Sequence, residues 1–180
     1  MFFHNVFLIL FQSAHITCIL LQVFLHLVLE KLKELQIPFN LKQIISDFEL
    51  NIHKSIDEVL PGIQILGCFF HLVKAFQKKV DQKHMKTQYE EDPHFHKFIK
   101  QAVALSSLPL EDLETGFNWL KENVQFDDPK IETFKDYFLE YINTYWINGC
   151  IPPYVWSTWG RIDDWTNNNQ EGFNSKGRFQ

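Results

Sequence analysis

Charge is missing from the start of this 180-residue chain: no Asp or Glu precedes Glu30, and no Lys or Arg precedes Lys31. Without a positively charged beginning, the apolar stretch Met1–Leu29 does not read as a secretory signal peptide. His4, Asn5, Gln12, Ser13, His15, Gln22 and His26 interrupt it, which weighs against a bilayer-spanning helix of about 20 mostly apolar residues. Cysteine is scarce as well. Cys18, Cys68 and Cys150 are an odd number, far apart and without C-x-x-C spacing. That argues against a disulfide framework and favours a reducing, intracellular compartment. A basic excess is also lacking: 17 Lys and Arg face 22 Asp and Glu, a formal charge of −5. The chain as a whole is therefore no strongly basic nucleic-acid binder, although net charge hides distribution. Internal repeats, low-complexity segments and zinc-finger spacings are absent too.

What is present is apolar and aromatic. Hydrophobic residues make up 46% of the chain and aromatics 16%, with 18 Phe. That composition argues against disorder over most of the length, and the length suffices for one domain with a sizeable core. The charge is segregated. Leu72–Lys100 holds seven Lys against four acids, and Glu111–Glu140 holds nine acids against three Lys. The plain reading of both is solvated helix faces. The sharper reading of the first is a set of phosphate contacts.

The pattern organises itself around Leu41–His71. A short apolar run, Ile44-Ile45, stops at Ser46 and Asp47. Phe48, Ile52, Ile56, Val59 and Leu60 follow at helical spacing, Pro61-Gly62 break it, and a second run, Ile63–Leu66, ends at Gly67-Cys68. Strand, helix, turn and strand in that order predict a βαβ unit with parallel pairing. Upstream, the spacing predicts a buried strand over Val6–Phe11 and a long helix over His15–Gln36, ended by Pro38. Downstream it predicts helices over Phe69–Asp81, His94–Ser106, Leu110–Val124 and Lys130–Trp146, with a polar loop or helix junction at Asp81–Pro93. Cys150–Asp164, rich in Pro and Trp, reads as an irregular return to the core, and Thr166 or Asn167 as the cap of a short helix containing Glu171.

Asp47 falls at the carboxyl end of the first predicted strand, where open α/β sheets tend to carry their chemistry. A strand-end Asp is equally a helix cap, and both readings stand on the spacing alone. Cys68 and His71 form a lone C-x-x-H, which lacks the second pair of a tetrahedral zinc site. Cys68 alone reads as a small buried hydrophobe, and Glu171 alone as a solvent-facing helix residue.

Taken together, Ile45-Ser46-Asp47-Phe48-Glu49, Pro61 before a strand, Gly67-Cys68-Phe69-Phe70-His71, an all-helical stretch, Trp156, and Thr166-Asn167-Asn168 followed by Glu171-Gly172-Phe173-Asn174 resemble the Mutator-like element (MULE) transposase domain. The resemblance spans roughly Glu30–Lys176 and is specific at its two ends; the helical middle matches only in type and length. It implies an α/β, ribonuclease H-like core, incomplete here and carrying an all-helical insertion. Residues 1–80 would be the partial core with its apolar start, 81–149 the insertion, and 150–180 the return segment with the third-acid motif.

The resemblance also implies a Asp-Asp-Glu centre that binds two divalent ions, Mg²⁺ or Mn²⁺, for phosphoryl transfer on DNA. Asp47 would be the second acid and Glu171 the third, both as metal ligands, with Cys68 and His71 in a structural or supporting role. DNA at transposon ends would be the partner and the nucleus the location. The pattern departs from the family at the first acid, because Glu30, the earliest acid, lies in a helical stretch. The expectation is a chain truncated at both ends and catalytically incomplete, or a domesticated module that binds DNA or protein without catalysis.

Overall fold

The computed structural model describes residues 18–161. The predicted strand Val6–Phe11, and the segment with Thr166, Asn167, Asn168 and Glu171, lie outside the described residues. The chain divides into two compact units, with the division falling between Cys68 and Phe69 in the sequence. Each is described by itself.

The first unit contains α1 (Cys18–Glu34), β1 (Gln43–Ser46), α2 (Leu50–Val59) and β2 (Gln64–Gly67). The strands pair in parallel, Gln43 opposite Gln64 through Ser46 opposite Gly67. The βαβ reading is therefore correct, and the fold is mixed α/β with only these two strands among the described residues. Ile44 and Ile65 from the sheet, Ile52, Ile56 and Leu60 from and after α2, and Leu21 and Leu25 from α1 share one core. Four-residue spacings, Ile52 to Ile56 and Leu21 to Leu25, put each helical pair on a single face. The return from α2 to β2 is a tight turn in which Ile63 donates its amide to the Leu60 carbonyl at 3.2 Å. Gly62 sits at φ +86° in that turn, the left-handed position that Pro-Gly supplies without steric cost.

The helix expected to be buried on its faces is buried on one only. Leu21 and Leu25 pack inward, whereas Ile19, Val23, Phe24 and Leu27 are exposed. No helix among the described residues is long and apolar enough to cross a membrane.

The second unit is helical: α3 (Phe69–Gln82), α4 (Lys86–Glu91), α5 (Pro93–Ala104), α6 (Leu113–Asn123), α7 (Pro129–Tyr141) and the single turn α8 (Pro153–Trp156). The polar junction at 81–93 holds a helix of its own, α4. The end of α3 is built by His84, whose φ of +54° is left-handed. The amide of His84 donates to the Asp81 carbonyl and that of Met85 to the Val80 carbonyl, both at 3.0 Å. This is the double backbone bond that closes a helix on a left-handed residue, a position usually held by Gly. His84→Gly is therefore expected to raise stability by about 1 kcal/mol through relief of the Cβ clash. Urea denaturation checks it; an unchanged or lowered midpoint would show that the imidazole contributes more than the strain costs.

At the next helix start, the Asp92 carboxylate accepts from the His94 and Phe95 amides, and Pro93 occupies the first turn, where its missing N–H is harmless. Asp128 caps α7 in the same way at the Lys130 amide.

The predicted helix Lys130–Trp146 changes character at its end. After Tyr141 it widens into a π-helical turn, Ile142–Ile147, in which the Asn148 amide reaches the Asn143 carbonyl at 2.9 Å. Gly149 follows because a Cβ there would lie 2.0 Å from the Tyr145 carbonyl oxygen. The wider turn brings Trp146 fully into the core, beside Phe76, Tyr141 and Trp156. Helices α3 and α7 run antiparallel along this core. Phe76 meets Phe138 and Tyr141, Lys79 lies over the Tyr141 ring, and Lys83 lies over the Tyr137 ring. Burial pushes the Tyr141 hydroxyl up to about 12 against the opposing effect of its hydrogen bond with Trp146.

The return segment is less irregular than its composition predicts. Pro153 starts the turn α8, the Trp156 indole N–H donates to the Trp146 carbonyl at 2.8 Å, and the Thr158 amide donates to the Ser106 carbonyl.

Candidate functional site

Asp47 follows β1 directly, beyond the last paired residue Ser46. The Cys68 amide donates to the Ser46 carbonyl at 2.8 Å, which extends the ladder by one bond and places Cys68 at the same carboxyl end of the sheet. Strand pairing thus brings together two of the four residues singled out in the sequence.

The surroundings of Asp47 are those of a turn. One carboxylate oxygen, Oδ1, accepts from the Glu49 amide at 3.1 Å. That is an Asx turn, and it guides the chain into α2, whose first residue is Leu50. The Asp47 carbonyl accepts two further hydrogen bonds, from the Ser46 hydroxyl at 3.0 Å and from His53 Nε2 at 2.8 Å. A carbonyl only accepts, so His53 carries its proton on Nε2. The backbone at Asp47 is therefore fixed from both sides, while the half-buried carboxylate keeps its second oxygen without a hydrogen bond among the described residues. The cap reading is corrected: the cap position of α2 is Glu49, with no side-chain cap bond, and Asp47 orders the turn ahead of the helix while its other oxygen stays open among the described residues.

His53 was not singled out by the sequence. It occupies the buried face of α2 between Ile52 and Ile56, and no signal in the sequence marks it. Cys68 is fully buried and His71, in the first turn of α3, is half-buried with its ring edge-on to Phe70. These belong to the first and second unit respectively. None of the three cysteines is in a disulfide.

No group of three or more His, Cys, Asp or Glu able to hold a metal ion occurs among the described residues. Of the two acids that the resemblance names as ligands, these residues supply Asp47 alone; Glu171 lies outside them. One carboxylate with one oxygen already engaged in a turn does not fit a two-metal centre.

The lysine-rich stretch of the second unit is largely committed to its own fold. Lys74, Lys79 and Lys83 lie over the rings of Phe70, Tyr141 and Tyr137 at 4.1–4.4 Å, and Lys86 pairs with Glu90. Lys78, Lys97 and Lys100 remain exposed, with no ring or carboxylate partner among the described residues. Comparison with protein-family models, with curated proteins and with solved structures finds no match to this chain.

Proposed function

We propose that this chain is a fragment of a MULE-type transposase catalytic domain with a ribonuclease H-like ancestry, and that by itself it does not carry out strand transfer. The observation that supports the reading is the parallel β1–α2–β2 unit with Asp47 just past the carboxyl end of β1 and one carboxylate oxygen open. In that reading Asp47 stands where the family has its second acid and Glu171 where it has its third. The family's divalent ions, Mg²⁺ or Mn²⁺, need the full set of acids, of which this chain would supply Asp47 and Glu171 alone. Two acids are one short of the family's set, and loss of a ligand from such a centre removes several kcal/mol of transition-state stabilisation, about a thousandfold or more in rate. DNA would be the partner and the nucleus the location.

The expected outcome is no nicking or strand transfer by the purified chain on supercoiled DNA with Mg²⁺ or Mn²⁺. Robust activity that Asp47→Ala abolishes would overturn catalytic incompleteness while retaining the transposase reading. Robust activity indifferent to Asp47→Ala and Glu171→Ala would overturn both.

A second reading, a domesticated module that binds DNA without catalysis, is favoured by one observation: the exposed ammonium groups of Lys78, Lys97 and Lys100 are not spent on rings or carboxylates. Phosphate contacts by these lysines would give binding that weakens steeply with salt.

A further inference from the structure

The second unit carries a cleft that none of the above uses. It lies where the end of α3 faces the first turns of α7, has a volume of about 350 Å³, and is lined by Lys83, Met85, Lys130, Thr133, Phe134 and Tyr137. Its apolar lining is firm: Met85 and Phe134 are 1% and 4% exposed, and Tyr137 is half-buried. Two exposed lysines complete it. Lys83 Nζ sits 4.1 Å from the Tyr137 ring centroid, and Lys130 Nζ donates to the His84 carbonyl at 3.5 Å. Among the described residues neither is in an ion pair and no carboxylate lines the cleft. The nearby Asp128 carboxylate is turned to the Lys130 amide at 2.7 Å.

The two sides are also held in place. The left-handed His84 and its paired backbone bonds fix the end of α3, while Pro129 and the Asp128 cap fix the start of α7. Lysines on fixed backbone bind an anion with less ordering entropy to overcome.

Apolar lining with two cations and no acid selects a ligand with a flat apolar part and an anionic part. A bare phosphate leaves the apolar lining unused, and an uncharged ring leaves the two ammonium groups without an anionic partner. The volume is at the small end of the roughly 300–1,000 Å³ typical of ligand clefts, which suits one nucleotide and little more. We propose that this cleft binds a nucleotide, its phosphate between Lys83 and Lys130 and its base against the half-buried Tyr137, above the buried Met85 and Phe134. The inference rests on the second unit alone and not on the transposase reading. The nucleotide comes either free or as one residue of a single strand, and the two share this chemistry.

The test is calorimetric titration of the full chain with adenosine 5′-monophosphate, adenosine, inorganic phosphate and a short single-stranded oligothymidylate. The nucleotide or the oligonucleotide should bind at least about tenfold more tightly than adenosine or phosphate, because only they engage both halves of the cleft. Lys83→Gln with Lys130→Gln should remove that binding, and Lys83→Arg with Lys130→Arg should keep it. Both positions are exposed, so thermal melts of these variants should match the parent. Preference for the mononucleotide identifies a free ligand, and preference for the oligonucleotide identifies a strand. Absence of both, binding unaffected by the double Gln variant, or phosphate binding as tight as the nucleotide would each overturn the proposal. Asp47→Ala should leave this binding unchanged, which separates it from the strand-transfer assay.

Discussion

Trp146→Ala is expected to cost about 4 kcal/mol and to unfold the helical unit well below the melting temperature of the parent. The indole is 1% exposed and lies 5.3–6.4 Å from the rings of Phe76, Tyr141, Tyr145 and Trp156. Truncation loses the transfer free energy of the largest buried side chain of the core and leaves a cavity walled by rings on several helices. Those rings are locked by one another and by helical backbone, so collapse is limited, and the cavity adds to the loss. The total compares with a typical domain stability of about 5–15 kcal/mol. Trp146→Phe fills much of the space and should cost clearly less. Urea unfolding followed by far-ultraviolet circular dichroism measures both. A loss below about 1 kcal/mol for the alanine variant would mean that the π-helical turn does not anchor the core.

Lys135→Ala is expected to cost about 3 kcal/mol, large for the removal of a lysine. Lys135 is 4% exposed, inside the acidic stretch whose charges otherwise face solvent. Its ammonium group donates to the Val124 carbonyl at 2.9 Å and pairs with Glu132. The other Glu132 oxygen accepts from the Phe126 amide at 2.9 Å. One lysine thereby holds the connection between α6 and α7 and seats Phe126 against Phe95 and Phe98. Its removal leaves a carbonyl and a carboxylate without their donor. Glu132 is about one-third exposed and regains some hydration, which places the cost at the lower end of that for a broken buried pair. Lys135→Met keeps the packing of the stem and should recover part of the loss. A double-mutant cycle with Glu132→Gln should show coupling above about 1 kcal/mol, and additivity of the two substitutions would refute the node.

Lys135 also shows where reading the sequence stops. Charge is assigned to solvent by default, because burial of an ammonium group is costly unless acceptors meet it. Nothing in the spacing says that Val124 and Glu132 converge on it. Lys79 teaches the same lesson: it reads as a phosphate contact, and in the fold it lies over Tyr141 on an antiparallel neighbour. At Asp47 the sequence left cap and acid as alternatives. The geometry does not make it the cap of α2, whose cap position is Glu49; the Asx turn uses one oxygen and leaves the other. His53 stayed hidden because a lone histidine on an apolar helix face has no pattern; its role exists only through the Asp47 carbonyl that it reaches.

By itself the sequence determined the local elements. Alternation of apolar runs with Pro-Gly set the β1–α2–β2 order, and spacings of three and four set α3, α5, α6 and α7, but not the short α4 and α8. Asp92-Pro93 and Asp128-Pro129 start two of those helices in the fold, through a cap and a proline that act locally. These follow from periodicity, capping and backbone sterics, which act over a few residues and are written in the order of the chain. Only the tertiary structure decided which lysines are spent on rings, that α1 buries one face, that the helix after Tyr141 widens to bring Trp146 inward, and that Lys83 and Lys130 flank one cleft. Those outcomes depend on which surfaces meet across many residues, where packing and desolvation outweigh local preference.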